Sequence, residues 1–193
     1  MALGFTTALR NARATAIVTE AGAGAILRNY DGTRPATGGA ATNVLSEHTC
    51  SATLGTVAGG VLTFNAIGSD TSANNSGTAS WARLFKSDGT TIVMDMSAGA
   101  DVVTTITGSA GLDAVTVGSA TGILVAQYVT GTGIAVGARV VDIQGTTVHL
   151  SIENSGAVSG SGTFFSDIRI NPAVITAGQT VNITAGSITE GNV

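Results

Sequence analysis

The chain has 193 residues, 44% apolar and only 10% charged, with a formal net charge of −4. That length fits one domain, or one domain carrying an insertion, and it is long enough to bury a real core. The apolar content argues against disorder, the lack of a run of about 20 apolar residues against a membrane span, and the absent basic excess against nucleic acid as a partner. Sparse charge on a surface of Thr, Ser, Ala and Gly also weakens repulsion between copies, so such a surface suits packing against other subunits.

The N-terminal stretch lacks an uninterrupted apolar run and is not read as a signal peptide. From Phe5 to about Thr19 the residues Phe5, Leu9, Ala12 and Ala16 recur at helical spacing, with Arg10 and Arg13 on another side. The glycines of "AGAGA" (21–25) end that helix. "AILRNYDG" reads as a strand running into a turn at Asp31–Gly32, and "TRPATGGAAT" as a loop. "NVLSEHTCSATL" is a strand with Val44, Ser46, His48 and Cys50 on one face, and "GVLTFNAI" alternates Leu62, Phe64 and Ala66 against Val61, Thr63 and Asn65.

In "ASWARLFKSDGTTIVMDMSAG", Trp81, Arg83 and Phe85 share one face, and Ala82, Leu84 and Lys86 the other. Asp88–Gly89 suits a two-residue type I′ turn, after which Ile92, Met94 and Met96 alternate with Val93 and Asp95. Trp81 and Phe85, with Phe5 and Leu9 of the helix, are candidate core or interface anchors. Near the C-terminus Ile168 and Ile170 alternate with Asp167 and Arg169, and Val181 and Ile183 with Asn182 and Thr184. Between these parts the texture changes to short strands of Val, Ile, Thr, Gly and Ala. The expected organisation is an outer domain of residues 1–101 plus 165–193 and an inserted β module of residues 102–164. The fold class is mainly β: a β-sandwich or jelly-roll-like domain with a short N-terminal helix and a small β insertion.

Catalytic readings find little. Gly131, Gly133 and Gly137 lie between strands, without the lysine of a phosphate loop and with spacing one residue too long for a dinucleotide loop, so they read as turn glycines. His48 and His149 fall in different parts and read as strand residues, and no G-x-S-x-G elbow occurs. No metal-ligand spacing is present. The carboxylates are scattered, with Asp31 and Asp88 in turns and Asp95 and Asp167 on outward strand positions. Cys50 is alone, which rules out an intrachain disulfide, and reads as a small strand residue. No catalytic, cofactor or metal residues are assigned, and a non-enzymatic protein is expected.

The segments "AGAGAILRNYDGTRPATGGAAT", "NVLSEHTCS", "GGVLTFNAIGSDTSANNSGTASWARLFKSDGTTIVMDMSAG" and "DIRINPAVITAGQTVNITAGSIT" together resemble a family of small tailed-bacteriophage virion proteins. "YDGTRPAT" and "WARLFKSDGTT" are the most telling pieces. "VGSATGILVAQYVTGTGIAVGARVVDIQGTTVHLS" resembles a separate β module of phage capsid, tail and fibre proteins, set where family members pass directly from a "MDMSAG"-like to a "DIRIN"-like strand. The resemblance implies a virion structural protein: a capsid decoration, or cement, protein on the outer surface of the capsid, bound to the major capsid protein lattice as a homo-oligomer (trimer or dimer). The alternatives are a tail, collar or baseplate component, or a host-surface or glycan-binding module using Tyr128, Phe164 and Phe165. The resemblance carries no catalytic residues.

Overall fold

In a computed structural model, residues 4–36 and 38–190 are described; readings that touch residues 1–3, 37 and 191–193 lie outside them. The chain divides into two compact units, one running up to Gly99 and resuming at Asp167, the other spanning Ala100–Ser166. These junctions lie two residues outside the 102–164 read from sequence, whose end residues Val102 and Phe164 pair with each other.

The first unit opens with α1 (Thr7–Ala21). Thr6 caps it, its hydroxyl accepting from Leu9 N at 3.3 Å, and Gly22 ends it at φ 70°, donating to Val18 O. The face turned to the protein is not the one the spacing suggested. Ala14 and Ala21 are buried, with Ile17 and Val18 packed beside them, whereas Leu9 is 46% exposed and Ala12 and Ala16 face outward. Two causes set this rotation. Small Ala14 and Ala21 let the helix backbone approach the sheet, and its first turns are fixed by polar contacts, Gly60 N donating to Asn11 Oδ1 at 2.7 Å and Arg10 reaching Glu190 O at 3.4 Å.

Strands β1 (Ile26–Tyr30), β2 (Val44–Thr49), β3 (Gly55–Ala58), β4 (Val61–Phe64), β5 (Gly77–Thr78), β6 (Trp81–Phe85) and β7 (Ile92–Gly99) follow. The inserted unit contributes β8 (Val102–Thr107), β9 (Ala114–Val117), β10 (Tyr128–Thr132), β11 (Val140–Gln144), β12 (Thr147–Leu150) and β13 (Ser159–Phe165). The first unit then resumes with β14 (Ile168–Asn171), β15 (Val174–Ile175) and β16 (Asn182–Thr189).

The protein is mainly β, with one short N-terminal helix and curled, sandwich-like sheets. The first unit holds an eight-stranded sheet in the order β2-β1-β6-β7-β14-β16-β4-β3, with β5 and β15 forming a separate ribbon. The sheet curls far enough for its β2 edge to meet the chain beyond β4: Cys50 bridges Ile67, and Gly68 N donates to Thr49 O at 2.9 Å. Leu27, Leu45, Leu62, Leu84, Met96, Ile168 and Val181 fill the interior. The β6–β7 hairpin forms as the alternation suggested, but its turn is longer than two residues. Lys86 N donates to Thr91 O, so residues 87–90 make the loop, and only Gly89 has positive φ. A type I′ turn needs positive φ at both central positions. The Asp88 carboxylate instead accepts from Thr90 N, Thr91 N and Thr91 Oγ1, which holds its pKa well below the carboxylate range.

In the inserted unit the strands run β10-β13-β8-β9-β12-β11, all antiparallel. The bridge Tyr128↔Arg139, with Val140 N to Gln127 O at 2.8 Å, joins the two ends and closes a six-stranded barrel. Ile106, Val115, Val129, Val140, Val148 and Phe164 fill it. In β11 Val140 points inward and Val141 outward, and a bulge between Val140 and Asp142 leaves Asp142 exposed as well.

Candidate functional site

The densest grouping of chemically capable side chains lies on β1, β6 and β7. In register, Tyr30 faces Trp81, Arg28 faces Arg83, and Arg83 faces Asp95. Tyr30 stacks on Trp81 with centroids 4.2 Å apart and planes 12° from parallel. Arg83 grips Asp95 through two hydrogen bonds, of 2.5 and 2.9 Å, and its guanidinium lies 5.2 Å from the Trp81 ring. Arg28 covers the Phe85 ring at 4.8 Å and pairs with Glu47 at 2.6 Å.

Alternation predicts the shared face of Trp81, Arg83 and Phe85. It does not predict that this face is covered. Residues 31–36 and 38–43 cross it as a strap whose two ends are tied together, Asn43 N and Nδ2 donating to the Asp31 carboxylate. Trp81 Nε1 donates to Asp31 O at 3.0 Å, Arg83 Nη1 to Gly39 O at 3.0 Å, and Gly38 N to Asp95 at 3.4 Å. Trp81 is therefore 1% exposed, and Phe85 is buried too. Asp95 is not on an outward position as its sequence pattern suggested, and neither is Asp167. Asp95 sits beneath the strap, and the buried Asp167 carboxylate accepts from Ser97 N and Ser97 Oγ at 3.0 and 2.7 Å. Burial pushes the Tyr30 phenol up, and the hydrogen bonds to Asp95 raise the Arg83 guanidinium. Tyr30 and Asp95 were not singled out as anchors. The signal for Asp95 is its position directly across the hairpin from Arg83.

A second grouping looks catalytic on paper. His48 Nε2 lies 3.0 Å from Ser46 Oγ and Nδ1 lies 2.9 Å from Gly68 O, an arrangement of the kind that activates a serine. Ser46 is fully buried and His48 is 1% exposed, so neither meets a substrate. His149 in β12 is half-buried, with Nδ1 3.8 Å from Asp113. Cys50 is buried and its thiol is pushed up to about 11 by desolvation, the opposite of nucleophile activation. Among the described residues no group of three or more His, Cys, Asp or Glu is placed to hold a metal ion.

Of the three glycines read as turn residues, one falls in a strand. Gly131 lies inside β10, where a methyl group would come within 2.5 Å of Ile106, and Gly133 and Gly137 take φ of 79° and 85° beyond it. The aromatic residues of the barrel form no open platform. Phe164 is fully buried, and Tyr128 is sandwiched between Phe165, at 5.5 Å, and the Arg139 guanidinium, at 3.6 Å from its ring. An open cleft of about 210 Å³ in the first unit is lined by Phe64, Asn65, Ile67, Ile183 and Thr184.

Both candidate groupings thus spend their polar atoms on one another, which is how buried polar groups stabilise a fold. No family model, curated protein or solved structure matches the chain.

Proposed function

We propose that this chain is a non-enzymatic structural protein of a tailed-phage virion: a capsid decoration, or cement, protein. In this reading it binds the assembled major capsid lattice on the outer surface of the head as a homo-oligomer. The observation that carries the reading is the meeting of its two most telling stretches. Tyr30 and Asp31 of "YDGTRPAT" stack on and bond to Trp81 of "WARLFKSDGTT", so the residues behind the resemblance form one structural unit. The outward face of α1, where Leu9, Ala12 and Ala16 stand among the exposed Arg13 and Glu20, supports the same reading, since it offers apolar area bordered by charge to a neighbour. Many weak contacts of this kind, repeated over a lattice, stabilise it by multivalency.

Copy number per virion, by quantitative mass spectrometry against the major capsid protein, tests the proposal. A ratio near one copy per capsid subunit, or one trimer per local three-fold, is the expected result. A count of a few to a few dozen would overturn it in favour of the tail, collar or baseplate.

A further inference from the structure

We propose that segment 65–70 is an acid-released flap, clasped to β2 by the buried imidazole of His48. The clasp depends on the direction of each hydrogen bond. The carbonyl of Gly68 only accepts, so the His48 nitrogen 2.9 Å away, Nδ1, carries the hydrogen. Nε2 is then an acceptor and takes the hydroxyl hydrogen of Ser46 at 3.0 Å. Ser46 Oγ in turn accepts from Asn29 Nδ2 at 2.9 Å. Asn29, Ser46 and His48 are all at most 1% exposed.

This chain has room for one ring proton. A second, on Nε2, would point at Ser46 Oγ and drive the serine hydrogen towards Asn29, which presents its NH₂ there. The amide oxygen, Oδ1, is turned away, buried and without a partner. No carboxylate touches the ring. Charging the imidazole in place therefore leaves a buried cation without a carboxylate partner and the Ser46 hydrogen without its acceptor, while opening the flap returns the ring to water.

The surroundings agree. From its own strand the ring is flanked by Glu47, which is paired with Arg28 on the other face, and by Cys50, which stays neutral. From the flap it faces Asp70, whose carboxylate accepts from Glu47 N at 2.9 Å and Ser72 N at 2.9 Å. From β1 its cross-strand neighbour is Leu27. The two acids raise the ring's pKa and burial lowers it, with burial the larger.

The flap is anchored at its two ends, and the His48 clasp holds its middle. Asn65 N and Nδ2 donate to Leu54 O and Thr53 O at its start, the Asp70–Val181 bridge and Ser69 Oγ to Asn182 Oδ1 hold the far end, and Gly68 N to Thr49 O, Ser51 Oγ to Ala66 O and the Cys50–Ile67 bridge line the margin beside the clasp. Its inner side is a wall of the cleft lined by Phe64, Ile67 and Ile183, so release would widen that cleft and expose apolar side chains.

The sign follows from linkage. The folded pKa of His48 lies below its ordinary value near 6.5, so the closed state binds fewer protons than the open one, and closure weakens as pH falls through about 6.5. Hydrogen exchange by mass spectrometry at pH 7.5 and 5.5, corrected for intrinsic rates, reads this directly. The intact chain should show opening of 65–70 rising up to about 10-fold, while β6 and β7 keep their protection. His48→Gln, neutral throughout, should lose the rise. Asp70→Asn should keep it, because the imidazole and its hydrogen-bond partners Gly68 and Ser46 are unchanged. Unchanged wild-type exchange, the same rise in His48→Gln, or loss of the rise in Asp70→Asn would each overturn the proposal. The last arm decides even if His48→Gln does not fold.

Discussion

Trp81 is held by three different interactions: the Tyr30 stack, hydrogen bonds from Nε1 to Asp31 O and Thr42 Oγ1, and the covering strap. Trp81→Ala removes all three and leaves a cavity, and should cost about 3–5 kcal/mol in denaturant unfolding. Trp81→Phe keeps a ring for Tyr30 and loses the donor, for about 1–2 kcal/mol. A loss within error for Trp81→Ala would mean that the strap collapses onto the vacancy. Arg83 and Asp95 make a different case, since both side chains are at most 4% exposed. Asp95→Leu alone strands a buried guanidinium and should cost about 3–5 kcal/mol, whereas Arg83→Met with Asp95→Leu should recover most of it. A double-mutant cycle with no coupling would contradict the bidentate pair. Both side chains were visible as alternating strand residues. Their burial was not, because the cover comes from residues 31–36 and 38–43, remote in sequence and without a period of its own.

At the scale of elements, α1 and the barrel strands carry opposite lessons. The existence of the helix was legible from its apolar spacing and the glycines that end it. Its rotation was not: Phe5, Leu9, Ala12, Ala16 and Ala14, Ile17, Ala21 both fit a helical period, and only the sheet beneath chooses. Leu9→Asp should therefore leave folding within about 0.5 kcal/mol of wild type. The same variant should lower occupancy on capsids, read by co-sedimentation, if the outward face docks on the lattice. In the barrel, Gly162 lies where an added methyl would come within 2.7 Å of the Ile106 side chain. Gly162→Ala should cost about 1–3 kcal/mol by overpacking, seen as lost exchange protection in residues 100–166 and not elsewhere.

For the whole molecule, the parallel pairing of β14 with β7 over Ile168↔Ala98 and Arg169↔Gly99 governs what can replace the insertion. Parallel neighbours cannot be joined by a tight hairpin, so the replacement must cross back over the strand ends. A Gly-Ser linker of roughly eight residues in place of 100–166 should give a soluble first unit that unfolds cooperatively. A two-residue linker should not. Residues 100–166 expressed alone should fold as a closed barrel, since domains of about this size commonly fold unaided. Aggregation of both products at every linker length would mean that the two units depend on each other.

The sequence by itself determined the fold class, the single helix, the β6–β7 hairpin and the presence of a compositionally distinct insertion. Those features are written in local periodicity and turn chemistry, which act over a few residues. It also gave a turn reading for the glycines of 131–137, which the positive φ of Gly133 and Gly137 fits and the place of Gly131 inside β10 does not. The tertiary structure alone decided which helix face is buried, that Asp95 and Asp167 turn inward, and that the face shared by Ser46 and His48 is closed over by Gly68. Each of these depends on contacts between residues far apart in the chain, such as Gly39 with Arg83, Ser97 with Asp167 and Gly68 with His48. Such pairings carry no local period, so they come into being only when the sheet curls and brings its strands together.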